Sequence, residues 1–244
     1  MTQNTVNRYA IEAFLQFFIL LPFILFLIEK NRKNYFKIII FSFCFMSYQL
    51  IEPMPKLYPF FDFIKSSWNW DGKILGVFWG LVCFFIFKNH FTDNNFFRIR
   101  QERKNIKKTL IVSVILIFST AAIWFAFGKS EFDMDTLMFQ LIIPGIDEEI
   151  MYRGVLLGLL MNCIKENVLL KSCFGILITA VLFGFAHALQ FGIGYSIHFD
   201  WIYFVQTSFF GYILGWIAIK SRSILLPVIV HNISNFLGIL VSML

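Results

Sequence analysis

Apolar residues in this chain fall in long blocks separated by short polar connections. A helix crossing about 30 Å of hydrocarbon needs about 20 residues. Eight segments approach that length: 10–28, 35–51, 73–88, 109–128, 136–163, 168–190, 200–219 and 223–243. The pattern predicts an all-α, polytopic membrane helix bundle of about eight transmembrane helices, a single membrane domain over 1–244. The third segment is the shortest. Pro53, Pro55 and Pro59 make the connection after the second segment irregular and interfacial, with Trp68 and Trp70 as candidate headgroup anchors.

Basic residues give the orientation, because cytoplasmic connections carry an excess of Lys and Arg. Connections 29–37, 88–108, 164–171 and 220–222 hold 15 of them, and the alternate set, Arg8, Lys56, Lys65, Lys73 and Lys129, holds 5. Eight crossings with both termini outside fit that split. The longest polar connection carries Arg98, Arg100, Arg103, Lys104, Lys107 and Lys108 beside Phe96 and Phe97. It reads as a cytoplasmic loop lying against anionic headgroups.

Composition supports the membrane reading: 58% of residues are hydrophobic and 15% charged, against about 25% charged in soluble domains. The net charge of +6 does not point to nucleic acid, since the basic residues sit between apolar runs. Cys44, Cys83, Cys163 and Cys173 lie in or beside apolar runs without CxxC spacing and read as reduced packing residues. The first apolar run has no small-x-small cleavage site and reads as a retained helix. The placement expected is integral and multi-pass, in a bacterial cytoplasmic membrane.

The fifth segment interrupts this pattern. Asp147, Glu148, Glu149 and Arg153 sit in a run otherwise apolar enough for lipid. A charge at the bilayer centre costs about 2.5–3.5 kcal/mol on insertion scales, so the cluster must face a polar interior. Glu149 and Arg153, four apart, stack on one helical face as an ion pair. Glu148, rotated about 100° away, is left without a local cation and needs a water-containing cavity. His187, well inside the sixth segment, lies about 24 Å from the cytoplasmic flank, and Glu148 about 25 Å, so the two can meet across the bundle. His231 and Asn235 share a face of the eighth segment. At about 13 Å from Arg222, His231 is shallower, a conflict resolved if the helix starts near Pro227 with 223–226 folded inward. His90 and His198 read as solvated or interfacial.

Other intramembrane hydrolases are eliminated by their motifs. No histidine is followed by Glu, which excludes His-Glu-x-x-His zinc proteases. Gly194-Tyr195-Ser196 continues Ile197-His198 and is not a serine elbow. Asp147 is the one Asp firmly inside a segment, so an aspartyl dyad is unsupported. A glutamate, two histidines and an asparagine remain.

Glu148-Glu149-x-x-x-Arg153-Gly154, Phe183-x-x-x-His187 and His231-x-x-x-Asn235 follow in order, each in its own apolar segment. On these motifs 136–244 resembles the CAAX prenyl protease and bacteriocin-processing (CPBP/Abi) family of intramembrane glutamic endopeptidases. Phe210-Gly211-x-x-x-Gly215 is similar to the family as well, and Gly211 and Gly215 form a small face for close helix approach. Asp147 lies outside the family pattern.

The resemblance implies an intramembrane endopeptidase acting on a peptide or protein substrate at the lipid bilayer. Prenylated proteins and peptide precursors both remain open as substrates. By the same resemblance Glu148 activates water, His187 helps to hold it, Glu149 and Arg153 support them, and His231 and Asn235 stabilise the oxyanion. No cofactor is expected. The alternative is a divalent metal on Glu148, His187 and His231, which are competent zinc ligands. The rival from another class is a non-catalytic membrane binding or immunity protein of the same fold. A transporter would show an inverted repeat, and none is evident.

Overall fold

The computed structural model describes residues 2–91, 94–166 and 171–244; the first residues of the sixth expected segment, 168–170, lie outside them. The chain folds as α1 (Thr2–Leu27), α2 (Arg32–Ile51), the one-turn α3 (Met54–Leu57), α4 (Trp70–Ile86), α5 (Ile106–Phe127), α6 (Met134–Ile142) and α7 (Pro144–Glu149). A π-helical stretch (Ile150–Leu156), α8 (Leu157–Met161) and α9 (Lys171–Ala188) follow. A small hairpin, β1 (Leu189–Phe191) and β2 (Ile197–Phe199), leads to α10 (Trp201–Ser221) and α11 (Leu225–Ser242). Among the described residues, six helices are long and apolar enough to cross a membrane: α1, α2, α5, α9, α10 and α11. The other two expected segments are α4, of 17 residues, and the run from α6 to α8.

That run is the centre of the bundle. From Met151 to Leu160 every residue is buried, Arg153 among them, as in a run that other helices enclose. It is not the continuous span predicted over 136–163. Pro144 lacks the N–H that would continue α6, so the helix ends at Ile142 and restarts at Pro144, the favoured first-turn position. The Asn232 side chain bridges the break, accepting from Gly145 N at 2.7 Å and donating to Ile142 O at 2.9 Å. After Glu149 the backbone widens, with Leu157 N bonded to Tyr152 O five residues back.

Outer helices are built the other way round from soluble ones. On α5, Thr109 and Ser113 are buried, while Leu110, Ile111, Val114, Ile115 and Phe118 are exposed. Lipid tolerates apolar side chains outside, and small residues inside let α5 pack closely on α10 and α11.

All four basic connections assemble on one face. Ile28 pairs with Ile164, Asn162 Nδ2 donates to His90 O, and Glu102 N donates to Ser221 O. The loop expected to lie on headgroups is docked onto the turn before α11 and leaves Arg98 and Arg100 exposed. Phe96 is buried, its carbonyl accepts from Ile224 N at 2.9 Å, and Ser223 Oγ donates to Arg98 O. Of the segment expected to fold inward, 223–226, Ser223 is buried but Leu225 is exposed, and α11 begins at Leu225 rather than near Pro227.

On the opposite face stand Trp68 and Trp70, the candidate headgroup anchors, both half-buried. Their indole nitrogens donate to Thr136 and Asp135, and both rings pack on Phe139 of α6. The sixth segment, predicted to 190, stops at Ala188, where the chain enters the hairpin; its turn carries Gly194 and Tyr195 at positive φ. The four cysteines are free thiols.

Candidate active site

Three helices bring Glu148, Glu149, His187 and His231, though not Asn235, to one place. Glu148 and Glu149 lie at the end of α7, His187 near the end of α9, and His231 two turns into α11. Glu148 Oε2 is 3.9 Å from His187 Nε2 and 3.7 Å from His231 Nε2. Each imidazole is oriented from behind. His187 Nδ1 is 2.8 Å from Phe183 O, one turn earlier on α9. Carbonyl oxygens only accept, so Nδ1 carries the hydrogen and the Nε2 edge turns to Glu148. His231 Nδ1 is held at 2.9 Å by Glu149 Oε1, which turns its Nε2 edge the same way.

Behind Glu149 stands Arg153, with Nη1 2.8 Å from Glu149 Oε1 and Nη2 2.9 Å from Gly211 O. The guanidinium also lies over the Phe183 ring, 4.8 Å from its centroid. Gly211 makes this possible: a Cβ there would sit 3.1 Å from Phe183 Cδ1 and 3.2 Å from Arg153 Nη2. The glycine face read from the sequence thus both admits α9 and exposes a carbonyl to the buried cation. Phe210 and Phe183 pack edge-on against His231.

Asn235 follows His231 by one turn on the same face of α11. Its Nδ2 donates to Gln140 Oε1 on α6 at 3.0 Å. His90 is half-buried in the basic connection, and His198 is exposed in β2.

One expectation is overturned. Glu148 is not without a cation: Lys73 Nζ lies 2.7 Å from Glu148 Oε1, 3.1 Å from Asp147 Oδ2 and 2.8 Å from Glu52 Oε1. The sequence reading counted Lys73 as a connection residue, but it occupies the first turn of α4 and its side chain is only 12% exposed. Tyr48 of α2 donates to Asp147 Oδ2 at 2.6 Å. Lys73, Gly76 and Gly80 fall on one face of α4, and a small-residue face that must pack inward carries Lys73 with it; that spacing was the available signal.

Two recesses flank the end of α9. One, of about 450 Å³, is polar and bordered by Arg8, Glu12, Gln16, Gln49, Glu52 and Gln190. The other, of about 620 Å³, has His187 in its wall with Asp200, Trp201, Ile202 and Tyr203. Trp201 and Ile202 in its wall are strongly exposed. Among the described residues, no three His, Cys, Asp or Glu side chains are grouped as metal ligands.

The type II CAAX prenyl endopeptidase Rce1-like family model matches residues 131–237, from just before α6 into α11. The match agrees with the family resemblance carried by the three motifs and encloses all six site residues named from the sequence. The helices α1 to α5 lie outside it. No curated protein and no solved structure matches the chain. Together with the six long apolar helices, the match makes this an integral, multi-pass membrane protein similar to a protease family.

Proposed function

We propose that residues 131–237, matched by the type II CAAX prenyl endopeptidase Rce1-like family, form the reacting half of an intramembrane endopeptidase using a glutamate-activated water. The observation that carries this reading is the convergence of Glu148 Oε2 on two imidazole Nε2 atoms at 3.7 and 3.9 Å, each imidazole fixed by a partner on its other nitrogen. Buried acids and histidines so arranged are costly in lipid and need a function to retain them.

The chemistry follows from the geometry. Glu148 Oε2 takes a proton from a water held against His187 Nε2, and the hydroxide adds to the scissile carbonyl carbon. The carbonyl π electrons move to oxygen. His231, as imidazolium, donates from Nε2 to that oxyanion while Glu149 stabilises its charge through Nδ1, and Asn235 is the next donor along the helix. Collapse of the intermediate expels the amine, which takes the proton from Glu148. The recess beside His187, with exposed Trp201 and Ile202 in its wall, suits a substrate carrying a lipid or an apolar segment, and prenylated CAAX proteins are the substrate class proposed. No metal takes part in this reading.

The test compares wild type with Glu148→Ala in proteoliposomes, using an internally quenched, prenylated peptide ending in a CAAX sequence. Cleavage by wild type and a loss of at least about 100-fold in the variant are expected, the scale of general acid–base catalysis. Equal processing by the two would overturn the reading and favour a binding protein. Chelation should leave the wild-type rate unchanged; loss with chelator and recovery with added zinc would replace the metal-free mechanism by one with Glu148, His187 and His231 as ligands.

A further inference from the structure

Lys73 comes from outside the stretch that the family model matches, yet its ammonium is the nearest cation to Glu148. An ammonium has three donors. One of them goes to Glu148 Oε1 at 2.7 Å, and the same ammonium forms ion pairs with Glu52 Oε1 at 2.8 Å and Asp147 Oδ2 at 3.1 Å. The three acids come from two directions, Glu52 from the end of α2 and the pair from α7. Tyr48 anchors Asp147 from α2, and the missing side chain at Gly76 leaves room for its other oxygen, since a Cβ there would lie 2.2 Å from Asp147 Oδ1. The position of Nζ is thereby overdetermined.

We propose that Lys73 is a positioning residue of the hydrolytic centre, clamping Oε1 of Glu148 so that Oε2 alone is presented to His187 and His231. This inference rests on the proposed role of Glu148 as the base. A free glutamate carboxylate rotates over a broad, two-fold torsion, and either oxygen would then face the histidines at random. With Oε1 tied to Lys73, the oxygen that faces both imidazoles is fixed before substrate arrives, which is where positioning lowers a barrier. Asp147 and Glu52 hold the lysine rather than the substrate. The N-terminal half of the bundle therefore contributes a group to the reaction, and Asp147, outside the family motif, acquires a partner and a reason.

Lys73→Met alone leaves three acids around a lost cation and can fail to fold. The informative comparison is Lys73→Met/Asp147→Asn against Asp147→Asn, both reconstituted with the prenylated, quenched peptide. The double variant should lose about 100-fold in kcat relative to the single one, a loss on the general-base scale, with KM and melting temperature matching within error. Equal kcat values would sink the inference while leaving the hydrolytic reading intact. A loss accompanied by a lower melting temperature and a raised KM would assign Lys73 a purely structural role and also sink it. Failure of wild type to cleave better than Glu148→Ala would overturn the hydrolytic reading itself, and is seen without any Lys73 variant.

Discussion

Glu149 Oε1 lies 2.9 Å from His231 Nδ1, joining an acid on α7 to a histidine 82 residues later on α11. The same oxygen receives Arg153 Nη1 at 2.8 Å. One carboxylate oxygen therefore neutralises the buried guanidinium and sets the edge that His231 turns toward Glu148. Support of an imidazole by a carboxylate is a familiar arrangement in hydrolysis, where it stabilises the imidazolium.

Removing the charge of Glu149 should separate those two duties. Glu149→Gln leaves Arg153 buried without a counter-ion, at a cost of about 3–5 kcal/mol. Glu149→Gln/Arg153→Met removes both charges and should recover most of the lost melting temperature in detergent. Peptide cleavage should stay low in both, because His231 has lost its carboxylate. Recovery of cleavage along with stability would show that Glu149 acts only as a counter-ion.

The close approach of α4 to α7 depends on Gly76. An added methyl group would collide with Asp147 Oδ1, and that oxygen belongs to a fully buried acid. Gly76→Ala should cost about 1–3 kcal/mol, the range for overpacking. Thermal unfolding followed by tryptophan fluorescence measures it, and an unshifted midpoint would mean that α4 sits farther from α7.

Asn232 serves the break at Pro144. Asn232→Leu strands Gly145 N and Ile142 O, two backbone groups bonded to its side chain. Each unsatisfied buried group costs about 1–3 kcal/mol, so the variant should unfold earlier. It should also cleave more slowly, since α7 carries Glu148. A stable variant with full activity would mean that α6 and α7 need no tie.

The docked basic connection makes a prediction about both topology and protection. Trypsin should cut at Arg98, Arg100 or Arg103 only from the face where the basic connections gather, and slowly. Phe96→Ala removes the buried ring that seats the loop on the turn before α11. Such truncations cost about 3–5 kcal/mol in well-packed cores, so cutting in inside-out vesicles should accelerate at least tenfold. Cutting at these sites in right-side-out vesicles would reverse the orientation assigned from the basic residues.

Much of the molecule was legible along the chain. Apolar blocks marked most of the long helices to within a few residues, because the length needed to cross hydrocarbon is a local property of sequence, although α1 starts at Thr2 rather than 10 and the fifth block is broken at Pro144. The acids, Arg153, His187 and His231 stood out because polar groups in an apolar run demand partners. Even the Glu149–Arg153 pair was readable, being one turn apart on a single element.

What the tertiary structure decided is everything that depends on neighbours far apart in the chain. Lys73 looked like a connection charge until α4 was laid against α7; Asn232 looked like one more polar residue until α11 was laid across the break at Pro144. The Phe96 loop read as a basic connection at the headgroups, and nothing in it announced that the Phe96 carbonyl would meet Ile224. Periodicity and insertion cost act along one helix at a time, whereas ion pairs and side-chain bridges act across the few ångströms between packed helices. The sequence alone determined that these polar groups must turn inward, and only the packing chose which of them would meet.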